Sequence, residues 1–323
     1  LNMISTRWFA ESEFWLALIK VVTVIAFILL GLLAIFGVLG YAGQETAPLF
    51  SNLTAQGWFP EGLFPIFTTM LIVNFAFSGT ELIGVAAGET KDPAKNVPKA
   101  INTAIFRLLI FFVGTIVVVT CLLPHQEAGL AAEGVSSSPF VTVFQHIGIP
   151  YAEDVIRFVI ITALLSAANS GLFAASRMMW SLSYSKQLPA IFSRVNARGI
   201  PYIAVIVTMI GGMPGLLSEQ FAPETIFTNL LGIAAFTMVV VWMSICLSMF
   251  NFRREWYKQG KTAKDLAFAA PLFPIVPILG FLFCLITCIS MVFDPTMRIS
   301  FFGCLVFIGL CYASYYKFYH NKA

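Results

Sequence analysis

Apolar residues along this chain gather into eight long runs, near positions 14–40, 63–87, 100–123, 155–181, 201–217, 226–250, 273–293 and 299–316. A bilayer core takes roughly 20 apolar residues of helix, and each run meets or approaches that length. The pattern predicts an all-α membrane protein with eight transmembrane helices. The polar stretches between the runs sort by charge. One side carries Arg7, then Lys91, Lys95 and Lys99, then Lys186, Arg194 and Arg198. It continues with Arg253, Arg254, Lys258, Lys261 and Lys264, and ends with Lys317 and Lys322. That is 14 basic residues against one, Arg298, on the other side. Basic residues concentrate in cytoplasmic loops, so this alternation predicts that both ends of the chain are cytoplasmic.

Composition supports the membrane reading. The chain is 59% hydrophobic and 11% charged, too few polar groups to cover a soluble surface of 323 residues. A net charge of +3 gives no reason to expect a nucleic-acid partner. The cysteines Cys121, Cys246, Cys284, Cys288, Cys304 and Cys311 fall in or beside apolar runs and read as small packing residues. Cys284 and Cys288 share a helical face, but no His or acid lies nearby in sequence to complete a metal set, so neither metal nor cofactor is expected. The stretch 124–154 reads as a long extracytoplasmic loop. Its histidines, His125 and His146, read as solvated, beside the acids Glu127, Glu133, Glu153 and Asp154. The first run is too long for a signal-peptide core. The opening LNMISTRWFAESEFW reads as mid-protein, which predicts an N-terminally truncated chain, with Met3 the alternative start.

Polar residues inside the runs carry the functional information, because a charge at mid-membrane costs about 2.5–3.5 kcal/mol on insertion scales. Arg107, Arg177 and Arg157 lie near helix ends, from which they snorkel to the interface or pair between helices. Lys20 sits about two turns into the first run. It either snorkels or stays buried as an amine able to gain and lose a proton. In the second run, Ser78, Gly79 and Thr80 interrupt an apolar helix and Glu81 follows directly. Unwinding there would free backbone groups beside a cavity or ligand, as in transporters with broken helices. The alternative is a kinked helix packed through small residues. In the fourth run, Ser166, Asn169 and Ser170 share one helical face, suited equally to interhelical hydrogen bonding or to a polar pathway. No catalytic motif or mid-membrane carboxylate pair is present, so an enzyme is not expected.

The segment FAFSGTELIGVAAGETKDPAKNVPKAI closely resembles the sixth helix and following loop of the amino acid–polyamine–organocation permeases, in their bacterial amino acid transporter branch. FAESEFWLALIKVVTVIAFILLG resembles the fifth helix, and SPFVTVFQHIGIPYAEDVIRFVI with LLSAANSGLFAASRMMWSLS the eighth helix and its approach. FDPTMRIS fits the last loop. Within the branch, the likeness is strongest to arginine/ornithine, S-methylmethionine and lysine permeases. It implies helices 5–12 of a twelve-helix, LeuT-like inverted-repeat fold, as one transmembrane domain over residues 1–323 in the inner membrane, without the first four helices and their share of the site. It further implies an amino acid as substrate, proton symport, a substrate site at Phe77, Ser78, Gly79, Thr80 and Glu81, and proton coupling through Lys20 and Glu81. Ser166, Asn169 and Ser170 would line a polar pathway near Lys20, with a weaker role for Glu89. Exchange in place of symport, or a permease-like sensor, are the alternatives. The oligomeric state is not legible.

Overall fold

The computed structural model describes residues 2–3, 6–42, 47–55, 57, 59, 62–124, 138–213, 215, 223–266, 268–293 and 297–318. The described elements are all helical: α1 (Thr6–Ile35), α2 (Ser51–Thr54), α3 (Phe64–Ala76), α4 (Leu82–Ala86), α5 (Pro93–Leu108), α6 (Gly114–Leu122), α7 (Pro139–His146), α8 (Ala152–Tyr184), α9 (Tyr202–Gly211), α10 (Pro223–Lys258), α11 (Ile275–Phe293) and α12 (Arg298–Phe318). A single π-helical stretch, Leu109–Val113, joins α5 to α6 into one long rod.

Six of these helices are long and apolar enough to cross a membrane, against eight runs in the sequence. For the second run the difference has a local cause. The second run is divided, because α3 stops at Ala76 and α4 resumes only at Leu82. Thirteen residues of α3 rise about 20 Å, short of a bilayer core of about 30 Å. In the fifth run α9 is ten residues long among the described residues.

The chain divides into two compact units. The first contains α1, α2, the end of α5, α6, α7 and most of α8. Its core is Phe27 and Ile35 of α1, Val118, Cys121 and Leu122 of α6, and Val141, Val143 and Phe144 of α7. The stretch read as loop from sequence therefore contains a packed helix, α7. Proline at its first position suits a helix start, and its apolar side chains are buried against α1 and α6. His146, at its end, hydrogen-bonds the Tyr41 hydroxyl through Nδ1 at 2.9 Å and is not simply solvated. His125, Glu127 and Glu133 lie outside the described residues.

Close approach of α1 and α6 depends on a missing side chain. A Cβ built on Gly31 would lie 2.2 Å from Val118 Cγ1, closer than any real contact. Small residues let membrane helices come this near, where van der Waals packing replaces the hydrophobic drive that lipid cannot supply.

The second unit contains α3, α4, the start of α5, the end of α8, most of α9, and α10, α11 and α12. Its core packs Ala235, Phe236 and Val239 of α10 against Cys284, Cys288 and Met291 of α11 and Cys304 of α12. α3 lies against α10 and α11. The Asn74 amide of α3 donates to the Thr287 hydroxyl of α11 at 3.0 Å, pinning the helix just before its break.

Candidate functional site

Each unit holds a polar cluster among its apolar helices. In the first unit the cluster forms between α1 and α8. The Lys20 ammonium donates to the Ser166 hydroxyl at 2.6 Å. Ser166 donates onward to one carboxylate oxygen of Glu13, and the Asn169 amide donates to the other at 3.3 Å. Asn2 closes the set, its amide donating to the Asn169 backbone carbonyl at 3.0 Å and side-chain oxygen at 2.9 Å. Ser166 is 1% exposed and Asn169 9%, while Glu13 and Lys20 are half-buried. Ser170 is half-buried too, and the hydrogen bonds described run through Ser166 and Asn169.

Glu13 is the residue the sequence reading missed. It precedes Lys20 by about two helical turns, so the two share a face of α1. An acid at that spacing from a mid-membrane lysine was the available signal. Its consequence is electrostatic: a cation and an anion held by one hydroxyl make a nearly neutral group, which a low-dielectric interior accepts far better than a lone charge. Glu13 and Arg107 are the charged groups that act on the Lys20 ammonium. Further along the same helix pair, Phe9 stacks on Phe173 with ring centroids 4.2 Å apart. The Arg177 guanidinium lies 4.1 Å from the Phe173 ring centroid, a cation–π contact one turn along the same helix.

In the second unit the cluster is the break itself. Residues 77–81 are turn, and Gly79 has φ +97°, a conformation side chains strongly disfavour. The Gly79 N–H donates to both carboxylate oxygens of Glu81, at 2.9 and 3.1 Å. The Trp242 indole of α10 donates to the same carboxylate at 3.2 Å. Among the described residues, no backbone hydrogen bond uses the N–H groups of Ser78, Thr80 or Glu81. Phe77 still closes the last turn of α3 through Val73 and Asn74. A carboxylate thus already occupies a backbone amide at the break, held there by the chain's own side chain. Trp242 was not legible from sequence, because an aromatic in an apolar run has no local mark of its partner.

Other expected residues fall elsewhere. Arg157 pairs within its own helix, with Glu153 at 2.6 Å and Asp154 at 4.0 Å, on an exposed surface. The acids that pair with it are one turn away on its own helix, where the sequence reading had offered a partner on another helix. The side chain of Glu89 lies outside the described ones. Cys121, Cys284, Cys288 and Cys304 are buried packing residues, Cys246 is partly buried and Cys311 exposed.

Membrane-length helices, one carrying a Lys–Ser–Glu cluster, together with a helix broken at a left-handed glycine, define a multi-pass membrane protein with polar groups set among its apolar helices. The chain belongs to the amino acid permease family, whose model matches residues 1–323. It is 46% identical over 316 residues to a candidate histidine permease of Bacillus subtilis, covering 98% of this chain and 66% of that protein. It is 45% identical over 321 residues to amino-acid permease RocC of the same organism, with 98% and 66% covered. To the lysine-specific permease LysP of Escherichia coli it is 36% identical over 301 residues, with 92% and 61% covered. The chain spans about two thirds of the length of these relatives.

Proposed function

We propose that this chain forms the greater part of a secondary transporter that imports an amino acid together with a proton, by alternating access. Its eight apolar runs would be helices five to twelve of a twelve-helix inverted-repeat fold in the inner membrane, one transmembrane domain with both ends cytoplasmic. The regular alternation of basic loops supports that orientation. Residues Phe77, Ser78, Gly79, Thr80 and Glu81 would bind the substrate. The observation that carries this reading is the occupied amide of Gly79. A backbone N–H that holds the Glu81 carboxylate at 2.9 and 3.1 Å has the geometry to hold a substrate α-carboxylate instead. The relatives named for histidine and lysine support an amino acid as cargo.

Coupling would run through Lys20, with Glu81 as a second coupling residue at the break. Ser166 and Asn169, with Ser170 beside them, would form the polar path serving Lys20. Glu13 supports this assignment, because it supplies the counter-charge that lets the ammonium exist away from water. Protonation changes at Lys20 would alter its hold on Ser166 and therefore the packing of α1 on α8. The test is uptake of radiolabelled amino acids by the full-length protein in liposomes under an imposed inward proton gradient. Gradient-driven accumulation is expected, and Lys20→Ala is expected to abolish it. Unchanged accumulation in Lys20→Ala would overturn the coupling role, and uptake requiring internal amino acid but no proton gradient would identify an exchanger.

A further inference from the structure

The far end of α10 holds a second feature, unrelated to the clusters above. A cavity of about 550 Å³ opens there, lined by Phe250, Arg254, Tyr257, Lys258, Phe273 and Pro274. Its walls are aromatic, with Phe273 packed against both Phe250 and Tyr257 at ring-centroid distances of 5.8 Å. Arg254 and Lys258 stand one turn apart on α10, so they share one face beside it. Lys258 is paired with Glu255 at 2.6 Å, but that pair is exposed and weakly held.

A third cation lies behind the wall. Arg253 is 5% exposed, and its guanidinium carbon sits 5.4 Å from the Tyr257 ring centroid and 5.2 Å from that of Phe273. Among the described residues, its Nε and Nη1 have no hydrogen-bond partner. Buried polar groups are nearly always satisfied, and a buried charge without an anion is costly. Among these described residues, three cations stand against one carboxylate, Glu255, and leave the cavity in a positive field that its apolar walls screen poorly.

We propose that this cavity binds an anionic phospholipid, with its phosphate held by Arg254 and Lys258 and its glycerol and first methylenes lying on Phe250, Tyr257 and Phe273. The shared chemistry is a phosphate ester. The apolar run of α10 ends near Phe250 and the helix continues to Lys258, so the cavity lies where the helix leaves the bilayer, near the level of the headgroups. Aromatic walls with basic residues at such a level suit a lipid rather than a free anion.

The test uses the full chain, purified in mild detergent and stripped of lipid, with binding read by native mass spectrometry. Dioleoyl phosphatidylglycerol is expected to stay bound where dioleoyl phosphatidylcholine does not, a comparison that needs no variant. Arg254→Gln with Lys258→Gln is expected to lower phosphatidylglycerol binding at least about tenfold. Lys261→Gln with Lys264→Gln makes the same charge change on the adjoining loop and is expected to leave binding within about twofold. Equal loss in both double variants, equal binding of the two lipids, or displacement of phosphatidylglycerol by millimolar inorganic phosphate would each overturn the proposal.

Discussion

Lys20 and Ser166, 146 residues apart in the chain, are joined by a hydrogen bond of 2.6 Å, and the same hydroxyl donates onward to Glu13. One small side chain therefore links a membrane-buried cation to its counter-ion. The arrangement makes Ser166 a connector: the Lys20 proton, the Glu13 charge and the packing of α1 on α8 all meet at its oxygen.

Ser166→Ala is expected to lower gradient-driven uptake at least about tenfold, since hydrogen bonds to charged groups contribute about 1.5–3 kcal/mol. Ser166→Thr keeps the hydroxyl and is expected to recover most of the loss. Glu13→Gln keeps an acceptor but removes the charge, and is expected to impair uptake while the protein still assembles. The measurement is proton-driven accumulation in proteoliposomes, normalised to the amount of folded protein recovered from a size-exclusion column. Wild-type accumulation in Ser166→Ala would show that the hydroxyl is only packing.

Gly79 sits at φ +97° with open space around its missing side chain, since a Cβ there would meet nothing nearer than Leu82 Cδ1 at 3.9 Å. Backbone conformation, not crowding, selects the glycine. Gly79→Ala is expected to cost about 1–2 kcal/mol of stability, and to weaken uptake by shifting the N–H that faces Glu81. Thermal unfolding in detergent and substrate-dependent protection from it read the two effects separately.

Gly31 makes the opposite case, because here crowding is the whole effect. Gly31→Ala places a methyl group 2.2 Å from Val118 Cγ1, and overpacking of this kind costs about 1–3 kcal/mol. Val118→Ala in the same chain removes the clash and is expected to restore most of the lost stability. A thermal-unfolding double-mutant cycle checks it; additive losses would mean the helices do not meet at this pair.

Outside the membrane-spanning stretches, Asp265 accepts the Thr262 N–H at 2.7 Å and its hydroxyl at 2.9 Å. These bonds hold its carboxyl below the usual carboxylate range. A carboxyl depressed on folding adds stability above its unfolded value, and that stability is lost as pH falls through the folded one. Asp265 is fully exposed, so the expected observable is its own titration. Carbon-detected NMR of the full chain should place the Asp265 midpoint below that of a random-coil aspartate, and Thr262→Val should return it toward the ordinary value.

The residues that stood out in sequence did so because the membrane makes polar exceptions visible one position at a time. Lys20, the Ser78–Glu81 interruption and the Ser166–Asn169 face all broke an apolar run, and the structure gives each a polar environment. The run count was less secure, since the sequence marks the break at Gly79 but not that the helix before it, α3, is only thirteen residues long. The pairing of Arg157 was not legible because Glu153 and Asp154 read as loop acids, whereas they belong to the first turn of α8.

By itself the sequence determined the helical class, the lengths of most runs, the place of the helix break and the side chains that do not belong in lipid. These are properties of local composition and of the 3.6-residue period, which need no partner to be read. Tertiary structure alone decided that Glu13 shares Ser166 with Lys20, that Glu81 folds back on Gly79 under Trp242, and that Arg253 lies buried behind an aromatic cavity. Each of these depends on how far one helix slides and turns against another. That register is set by packing between surfaces far apart in the chain, such as Gly31 on Val118, and no local pattern encodes it.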